Sequence, residues 1–285
     1  MMSDVLNACV RHGQLPRATA LFHALVALGS PPHASSGGAL VDSLCARGYA
    51  TDAQSVLTEM HEANQTLSPK LCTQVTVALT RSGLPLRAFG VFETFLEGAG
   101  GPEAALPSLS TVEWNVEHGL ALLTKALSRA VKGRQAHRVY SCARSAGLCT
   151  NYASFGLPAL TLACVEGGML SQAIGVCEDA RQALLPLGVV TASALLTAVA
   201  KAQSAHAQLV AMLAEVAARR LTCDAPSLHA AFTSLMGQTP PDLDEATRAL
   251  SLAAAASRVA QQHSNQQQFG EDGKVGGGRG GGRGG

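Results

Sequence analysis

Residues 4–32 read DVLNACVRHGQLPRATALFHALVALGSPP, and the apolar pattern of this segment indicates the architecture. Apolar residues recur at helical spacing up to Gly13, where the pattern predicts a helix end with a left-handed glycine cap. A second apolar series runs from about Arg17 to Leu28, and Pro16 precedes it at a position where a helix tolerates proline. The Gly-Ser-Pro-Pro that follows breaks the chain. The stretch therefore predicts two helices joined by a tight turn.

This hairpin repeats every 35 residues, because Gly13, Gly48 and Gly83 occupy the same register. A fixed period of this length is typical of stacked supersecondary units, none of which can bury its apolar face alone. The sequence therefore predicts an all-α solenoid of about six to seven helix-turn-helix repeats. Three further sets of apolar residues recur at the same 35-residue interval: Ala18, Ala53 and Ala88; Phe22, Leu57 and Phe92; Leu25, Met60 and Phe95.

The period weakens along the chain, which suggests four regions. We expect well-matched repeats over residues 1–97, a loop insertion over 98–110, degenerate repeats and a cap over 111–263, and a Gln/Gly/Arg-rich tail over 264–285. The tail cannot form a core and is predicted to be disordered. Because the first helix begins at the chain start, we expect the sequence to be a piece of a longer array. The later repeats are marked by Ala136 with Gly147, Gly168 with Ala173 and Val176, Val190–Leu196, and Pro226 with Ala246 and Leu250.

Composition narrows the possible functions. Charged residues make up 14% of the chain and the net charge is +1, so it lacks the strong basicity of many nucleic-acid binders. No apolar run reaches the length of a membrane span, and the eight cysteines include no Cys-x-x-Cys pair. No phosphate-binding loop, nucleophile elbow or zinc-helix motif is present. The sequence therefore predicts a protein that is not an enzyme and holds no cofactor or metal.

One segment is unusually basic. Between Lys125 and Arg144 the chain has six cations and no acid, and Lys125, Arg129 and Lys132 are spaced as one stripe of a helix. Such a stripe can neutralise phosphates, although a solvated basic helix face would look the same. Arginines of a glycine-rich tail can also contact phosphates, with a plain flexible linker as the alternative. The phosphate-contact candidates are Lys125, Arg129, Lys132, Arg134, Arg138, Arg279 and Arg283.

The repeat resembles the pentatricopeptide repeat family, whose unit is a 35-residue helical hairpin. The matching residues are the interhelix Gly13, Gly48 and Gly83, the Ala-x-x-Leu-Phe of residues 18–22, and the closing Gly29 with Pro32. The tetratricopeptide repeat, with its Trp-x-x-Leu-Gly opening, matches less well. The resemblance implies a right-handed α-solenoid that binds single-stranded RNA, and a location in the mitochondrion or chloroplast. No targeting segment precedes the first repeat.

In this family one base is read per repeat by two or three side chains. The resemblance places them at the fifth and last positions of each unit. Gly38 and Ala121 fall at fifth positions and cannot hydrogen-bond a base, which puts readout along the whole array in doubt. The alternative interpretation is that the residues at these positions are ordinary helix-face residues that contact no base. The base-facing candidates are Ser3 with His33, Thr73, Asn151, and Ser193 with Asp224, and Ser68 is the last residue of the Gly38 unit.

Two hypotheses follow from the sequence. The first is an RNA-binding helical repeat protein that acts in processing, stability or translation of organellar transcripts, with single-stranded RNA as its partner. The second is a non-catalytic scaffold that contacts proteins in an organellar ribosome or another ribonucleoprotein assembly. The basic segment favours RNA, whereas the near-zero net charge favours the scaffold.

Overall fold

The computed structural model describes residues 2–98, 101, 116–185, 188–202, 206–218 and 223–237, with six single positions between 244 and 258. All regular structure within these ranges is α-helical. The chain divides into two compact units, Met1–Gln172 and Ala173–Gly285. The predicted insertion beyond Gly98, other than residue 101, lies outside the described residues, as do Ala246, Leu250 and the tail.

The first unit contains ten helices within its described ranges. They are α1 (Met2–Arg11), α2 (Leu15–Ala27), α3 (Ala34–Ala46), α4 (Ala50–Glu62), α5 (Pro69–Arg81), α6 (Pro85–Gly98), α7 (Val116–Arg129), α8 (Gly133–Ser145), α9 (Tyr152–Phe155) and α10 (Leu157–Glu166). The boundary between the units falls within α11 (Leu170–Gln182). The second unit then has α12 (Val189–Lys201), α13 (His206–Ala218) and α14 (Ala225–Gly237).

In the first unit the helices pack as consecutive hairpins. α1 packs on α2, α3 on α4, α5 on α6, and α7 on α8. The first helices of the hairpins also contact one another in series, from α1 through α3 and α5 to α7, which in turn contacts α10. This stack of hairpins confirms the all-α solenoid for the first unit. In the second unit α12 packs on both α13 and α14.

Nine helix ends in the described chain share one hydrogen-bond pattern. After the first helix, for example, Gly13 N donates to Val10 O at 3.0 Å and Gln14 N donates to Cys9 O at 2.9 Å. These two bonds, with a left-handed residue between them, form a Schellman cap that satisfies the last carbonyls of the helix. The predicted glycine turns are thus confirmed. The left-handed residues at these nine helix ends are Gly13, Gly29, Gly48, Asn64, Gly83, Val131, Gly147, Gly168 and Leu184.

The core uses small residues where helices approach closely. The alanine register predicted from Ala18 is confirmed, because each of its members is fully buried. A closer approach occurs at Gly133, the first residue of α8. A Cβ atom placed there would lie 2.2 Å from the carbonyl oxygen of Ala163 in α10, so no other residue fits without backbone movement. The buried alanines are Ala18, Ala53, Ala88, Ala136 and Ala173.

One prediction about the later repeats is wrong. α7 ends at Arg129, Val131 takes a left-handed conformation and Lys132 occupies the N-cap position of α8, so Lys132 does not continue a helical stripe. The fifth repeat also has a split first helix, which the regular period did not predict. α9 ends at the left-handed Gly156, and Pro158 in the first turn of α10 cannot continue the preceding helix.

Candidate nucleic-acid interface

The exposed side of two neighbouring first helices carries four cations. Lys70 and Arg81 are eleven residues apart on α5, which places them on one helix face. Lys125 and Arg129 are four residues apart on α7 and also share a face. Arg81 and Arg129 each lie two residues before the left-handed residue of their hairpin, so they are equivalent positions. We call these four residues the cationic strip.

The two helices that carry the halves of the strip, α5 and α7, pack against each other. A Cβ atom at Gly119 of α7 would lie 2.9 Å from Thr73 Cγ2 and 3.2 Å from Val77 Cγ2 of α5. The absence of a side chain at Gly119 therefore lets α7 approach α5 closely at this point. Lys70, Arg81 and Arg129 are exposed, and Lys125 is half-buried with its stem beside Gly156. A long lysine stem can lie on the protein surface while its ammonium group stays hydrated.

The acids near the strip are few. α5 contains none, and α7 contains only Glu117 in its first turn. Glu117 accepts hydrogen bonds from the Asn151 backbone N–H, at 2.8 Å, and from the Thr150 hydroxyl. That carboxylate thus holds the start of the next repeat. Within the described part of the chain, none of the four strip cations makes an ion pair.

The structure separates the other predicted phosphate contacts from the strip. Lys132 is exposed in the turn, whereas Arg134 and Arg138 are exposed on the second helix α8. The Arg138 Nε atom lies 2.9 Å from Glu93 Oε1, so this pair joins α8 to α6. The basic segment is therefore divided between both helices of the hairpin. Arg279 and Arg283 lie outside the described residues.

The predicted base-facing residues at last positions begin helices. His33 precedes α3, and its ring nitrogen accepts from the Ser35 backbone N–H at 3.3 Å. Asp224 plays the same part before α14, where Oδ1 accepts from the Ser227 N–H at 2.8 Å. These bonds are N-caps, which satisfy backbone donors that a helix leaves without partners. Asn151 is exposed before α9 and makes no side-chain cap bond.

Ser68, the last residue of the second hairpin, caps in the same way. Its hydroxyl oxygen accepts from the Leu71 backbone N–H at 3.3 Å, at the start of α5. Three hairpins with different sequences therefore use one register for the same structural contact.

The predicted base-facing residues at fifth positions also make contacts within the fold. Ser3 Oγ accepts from the His33 backbone N–H at 3.4 Å, and Ser193 Oγ accepts from the Asp224 N–H at 3.2 Å. The Thr73 hydroxyl donates to Pro69 O at 2.8 Å. Thr73 is 6% exposed and Ser193 is 4% exposed. Their contact with bases stays a prediction.

The fifth-position residues without a polar side chain are also covered. Ala121 is 2% exposed, and Gly38 is buried beside Leu71.

The cysteines suit a structural role better than a chemical one. Burial raises the pKa of the Cys45 and Cys72 thiols to about 12 and that of Cys164 to about 11. A thiol with so high a pKa stays protonated near neutral pH and is a poor nucleophile. Over the residues that the structure covers, no group of three or more His, Cys, Asp or Glu side chains could hold a metal ion. In the same ranges no helix has both the length and the apolar character that crossing a bilayer requires.

Comparisons with known proteins add an architectural likeness. No family model and no curated protein matches the chain. Among solved structures, the chain is similar to the pentatricopeptide repeat protein PPR10 in complex with an 18-nt psaJ RNA element, at 20% identity and a TM-score of 0.41. It is also similar to PPR10 from maize, at 22% identity and a TM-score of 0.34. These matches cover 93% and 87% of this chain but only 38% of each PPR10 chain.

Proposed function

We propose that this protein binds single-stranded RNA along the cationic strip of the first unit. The observation that carries the proposal is the position of Lys70, Arg81, Lys125 and Arg129 on two adjacent first helices, with Arg81 and Arg129 at equivalent positions and no ion pair to any of the four in the described chain. Lysine and arginine that contact phosphates release counterions, which supplies affinity for any RNA sequence. A non-catalytic role agrees with the absence of a recognisable catalytic motif.

The wider role proposed is post-transcriptional. A helical surface that holds a transcript protects it from nucleases or keeps it unfolded for processing or translation, and neither action needs a reactive group. The proposed location in a mitochondrion or chloroplast rests on the resemblance of the repeat to the pentatricopeptide family. Import of the full-length protein, followed in cells by a C-terminal fluorescent fusion, tests that location directly.

A protein scaffold is the second candidate function. Its support is the net charge of +1, which gives little long-range attraction to RNA, together with the capping contacts of His33, Ser68 and Asp224. In this alternative the first helices contact another protein of a ribonucleoprotein assembly. Stoichiometric recovery of a protein partner after nuclease treatment, without RNA affinity of the purified chain, would support it.

The test of RNA binding uses two variants of equal charge. The strip variant replaces Lys70, Arg81, Lys125 and Arg129 with Gln. Its control replaces second-helix arginines with Gln: Arg17, Arg87, Arg134 and Arg144. Fluorescence anisotropy with a labelled, unstructured RNA of about 15 nucleotides measures both, since single-strand sites span about 4–16 nucleotides. We expect the strip variant to lose roughly 10- to 100-fold in affinity, because each lost phosphate contact removes counterion release.

The control variant is expected to bind nearly as well as the unchanged protein. Because it includes Arg134, it also decides which part of the basic segment contacts RNA. An equal loss in both variants would mean that net charge alone governs binding and would contradict the strip. Unfolding curves of both variants show whether either change acts through stability.

A further inference from the structure

We propose that the cationic strip holds the ribose–phosphate backbone of RNA and does not read its base sequence. This inference rests on the proposed RNA binding and concerns how that binding is achieved. It follows from the structural positions of the residues that sequence comparison would assign to base recognition, from the scarcity of aromatic side chains near the strip, and from the strip's own chemistry.

Three of the four last-position side chains already have hydrogen-bond partners at helix starts, and Asn151 is the exception. His33, Ser68 and Asp224 each accept a bond from a backbone N–H of the following helix, at 3.3, 3.3 and 2.8 Å. Turning one of these side chains toward a base would leave a helix donor without its cap. Direct readout needs polar groups that discriminate between bases, since a wrong base leaves them unpaired. Side chains that cap a helix therefore provide little discrimination between bases.

Four of the five fifth-position residues are covered by the fold, and Ser3 is half-buried. Ala121 is 2% exposed, Ser193 4% and Thr73 6%, and Gly38 is buried against Leu71. Of these, only the serine and the threonine have a hydroxyl group. The Thr73 hydroxyl donates to Pro69 O, and Ser193 Oγ accepts from the Asp224 N–H. A base edge cannot replace these contacts without opening the packing between neighbouring helices.

The first helices also offer almost no surface for base stacking. α1, α3 and α5 contain no aromatic residue and α7 contains only His118, whereas α9, which packs on α7, contributes the half-buried Tyr152. Proteins that hold single strands by their bases usually stack them on aromatic side chains. Phe22, Tyr140 and Phe155 are fully buried in the core, while Tyr49, just before α4, is 48% exposed. The ammonium and guanidinium groups of the strip are exposed or half-buried on α5 and α7 and are available for contact.

The experiment measures affinity against sequence and against salt. Unstructured homopolymer RNAs of uridine, adenosine and cytidine, each about 15 nucleotides long, are titrated into the full chain by anisotropy. A DNA strand of the same length is the fourth ligand. We expect all four affinities within about threefold of one another, because phosphate contacts carry no sequence information. With four contacts at about 0.7 each, affinity should fall about 50-fold between 50 and 200 mM salt.

The outcomes separate this inference from the proposed function. Affinities that differ more than about tenfold between the homopolymers would overturn sequence-independent binding but leave RNA binding intact. No binding to any strand would contradict the proposed function and this inference together. Equal affinities with a steep salt dependence would support both.

A pair of substitutions at Ser68 tests the capping argument directly. Ser68→Ala removes the cap and should lower Tm by about 2–4 °C, whereas Ser68→Thr keeps a capping hydroxyl and should not. Neither change should alter the relative affinity for the homopolymers. A shift in that preference with either variant would show that this position reads bases and would overturn the inference.

Discussion

The turns of the second and fourth hairpins have the same backbone but different residues. Gly48 has φ +82° and Val131 has φ +57°, and both lie in the left-handed region. In each turn the following amide, from Tyr49 or Lys132, bonds the carbonyl five residues earlier, at 3.0 and 2.9 Å. A β-branched residue in this conformation is a genuine outlier. The comparison shows that the helix end and its packing impose the turn, while glycine only lowers the energetic cost of adopting it.

The two hairpins also differ in how closely their second helices are held. Gly133 at the start of α8 lies against the α10 backbone, whereas Ala50 begins α4 in the second hairpin. The fourth hairpin therefore combines an unfavourable turn residue with a close helix contact.

The largest expected effect comes from adding a side chain where α8 approaches α10. Gly133→Ala places a Cβ atom 2.2 Å from Ala163 O, where only backbone movement relieves the overlap. We expect a loss of about 3 kcal/mol or more in the free energy of unfolding, measured with urea. Gly90→Ala is the matched control, because its Cβ would meet nothing within 4 Å and helix propensity should give a gain of about 0.5–1 kcal/mol. Equal stability of the two variants would contradict the approach of α8 to α10.

A smaller effect on the free energy of unfolding is expected from ionisation of Cys72 in the third hairpin. The equivalent residue in the fourth hairpin is Leu120, which does not titrate. Burial raises the pKa of the Cys72 thiol to about 12, whereas an unfolded thiol titrates near pH 8.5. Because the folded pKa is the higher one, this contribution to stability is full below about pH 8.5 and is lost as the pH rises. Urea unfolding should show a loss of about 2 kcal/mol from this thiol by pH 10.

The matched variant for that measurement is Cys72→Val, which has no titratable group. It should show a shallower decline of stability between pH 8.5 and 10 than the unchanged protein. Other buried thiols, such as Cys164, keep their own contribution in both proteins. Parallel curves for the two proteins would mean that Cys72 is not protected from ionisation by the fold.

The smallest effects should come from exchanging the turn residues. Gly48→Val should lower the free energy of unfolding by about 1–2 kcal/mol, because its Cβ meets no neighbour and only backbone strain is added. Val131→Gly should raise it by about 1 kcal/mol, since the relieved strain is partly offset by greater freedom of the unfolded chain. Thermal unfolding of both variants checks the opposite signs. Destabilisation by Val131→Gly would mean that the exposed valine side chain contributes more than its backbone costs.

The sequence predicted the turns with glycine but not those without it. Asn64 lies 35 residues after Gly29 and has the same conformation, so the period alone could have located it. Val131 and Leu184 carried no such signal, because neither residue favours the left-handed region. The interval from the left-handed Val131 to the left-handed Gly168 is two residues longer than the period of 35. The short helix α9 lies within this interval. Propensity could not anticipate turns that tertiary packing imposes.

The cationic strip was only half predictable. Lys125 and Arg129 were visible because they are close in the sequence, and Lys132 was wrongly placed on their helix. Lys70 and Arg81 were missed, since their nearness to α7 depends on the packing of the third hairpin on the fourth. The alignment of Arg81 with Arg129 relative to the hairpin turns could have indicated it. Gly133 was missed for a related reason, because its neighbour Ala163 lies 30 residues further along the chain.

The capping contacts of His33, Ser68 and Asp224 have an evolutionary consequence. A helix start favours Ser, Thr, Asp and Asn because these side chains accept a backbone hydrogen bond. Exchanges among those residues at the last position of a repeat are therefore close to neutral for folding. Natural drift can vary the polar groups along this edge while the hairpins remain stacked. A polar residue in this register can thus be inherited for the helix it begins, whether or not any nucleic acid contacts it.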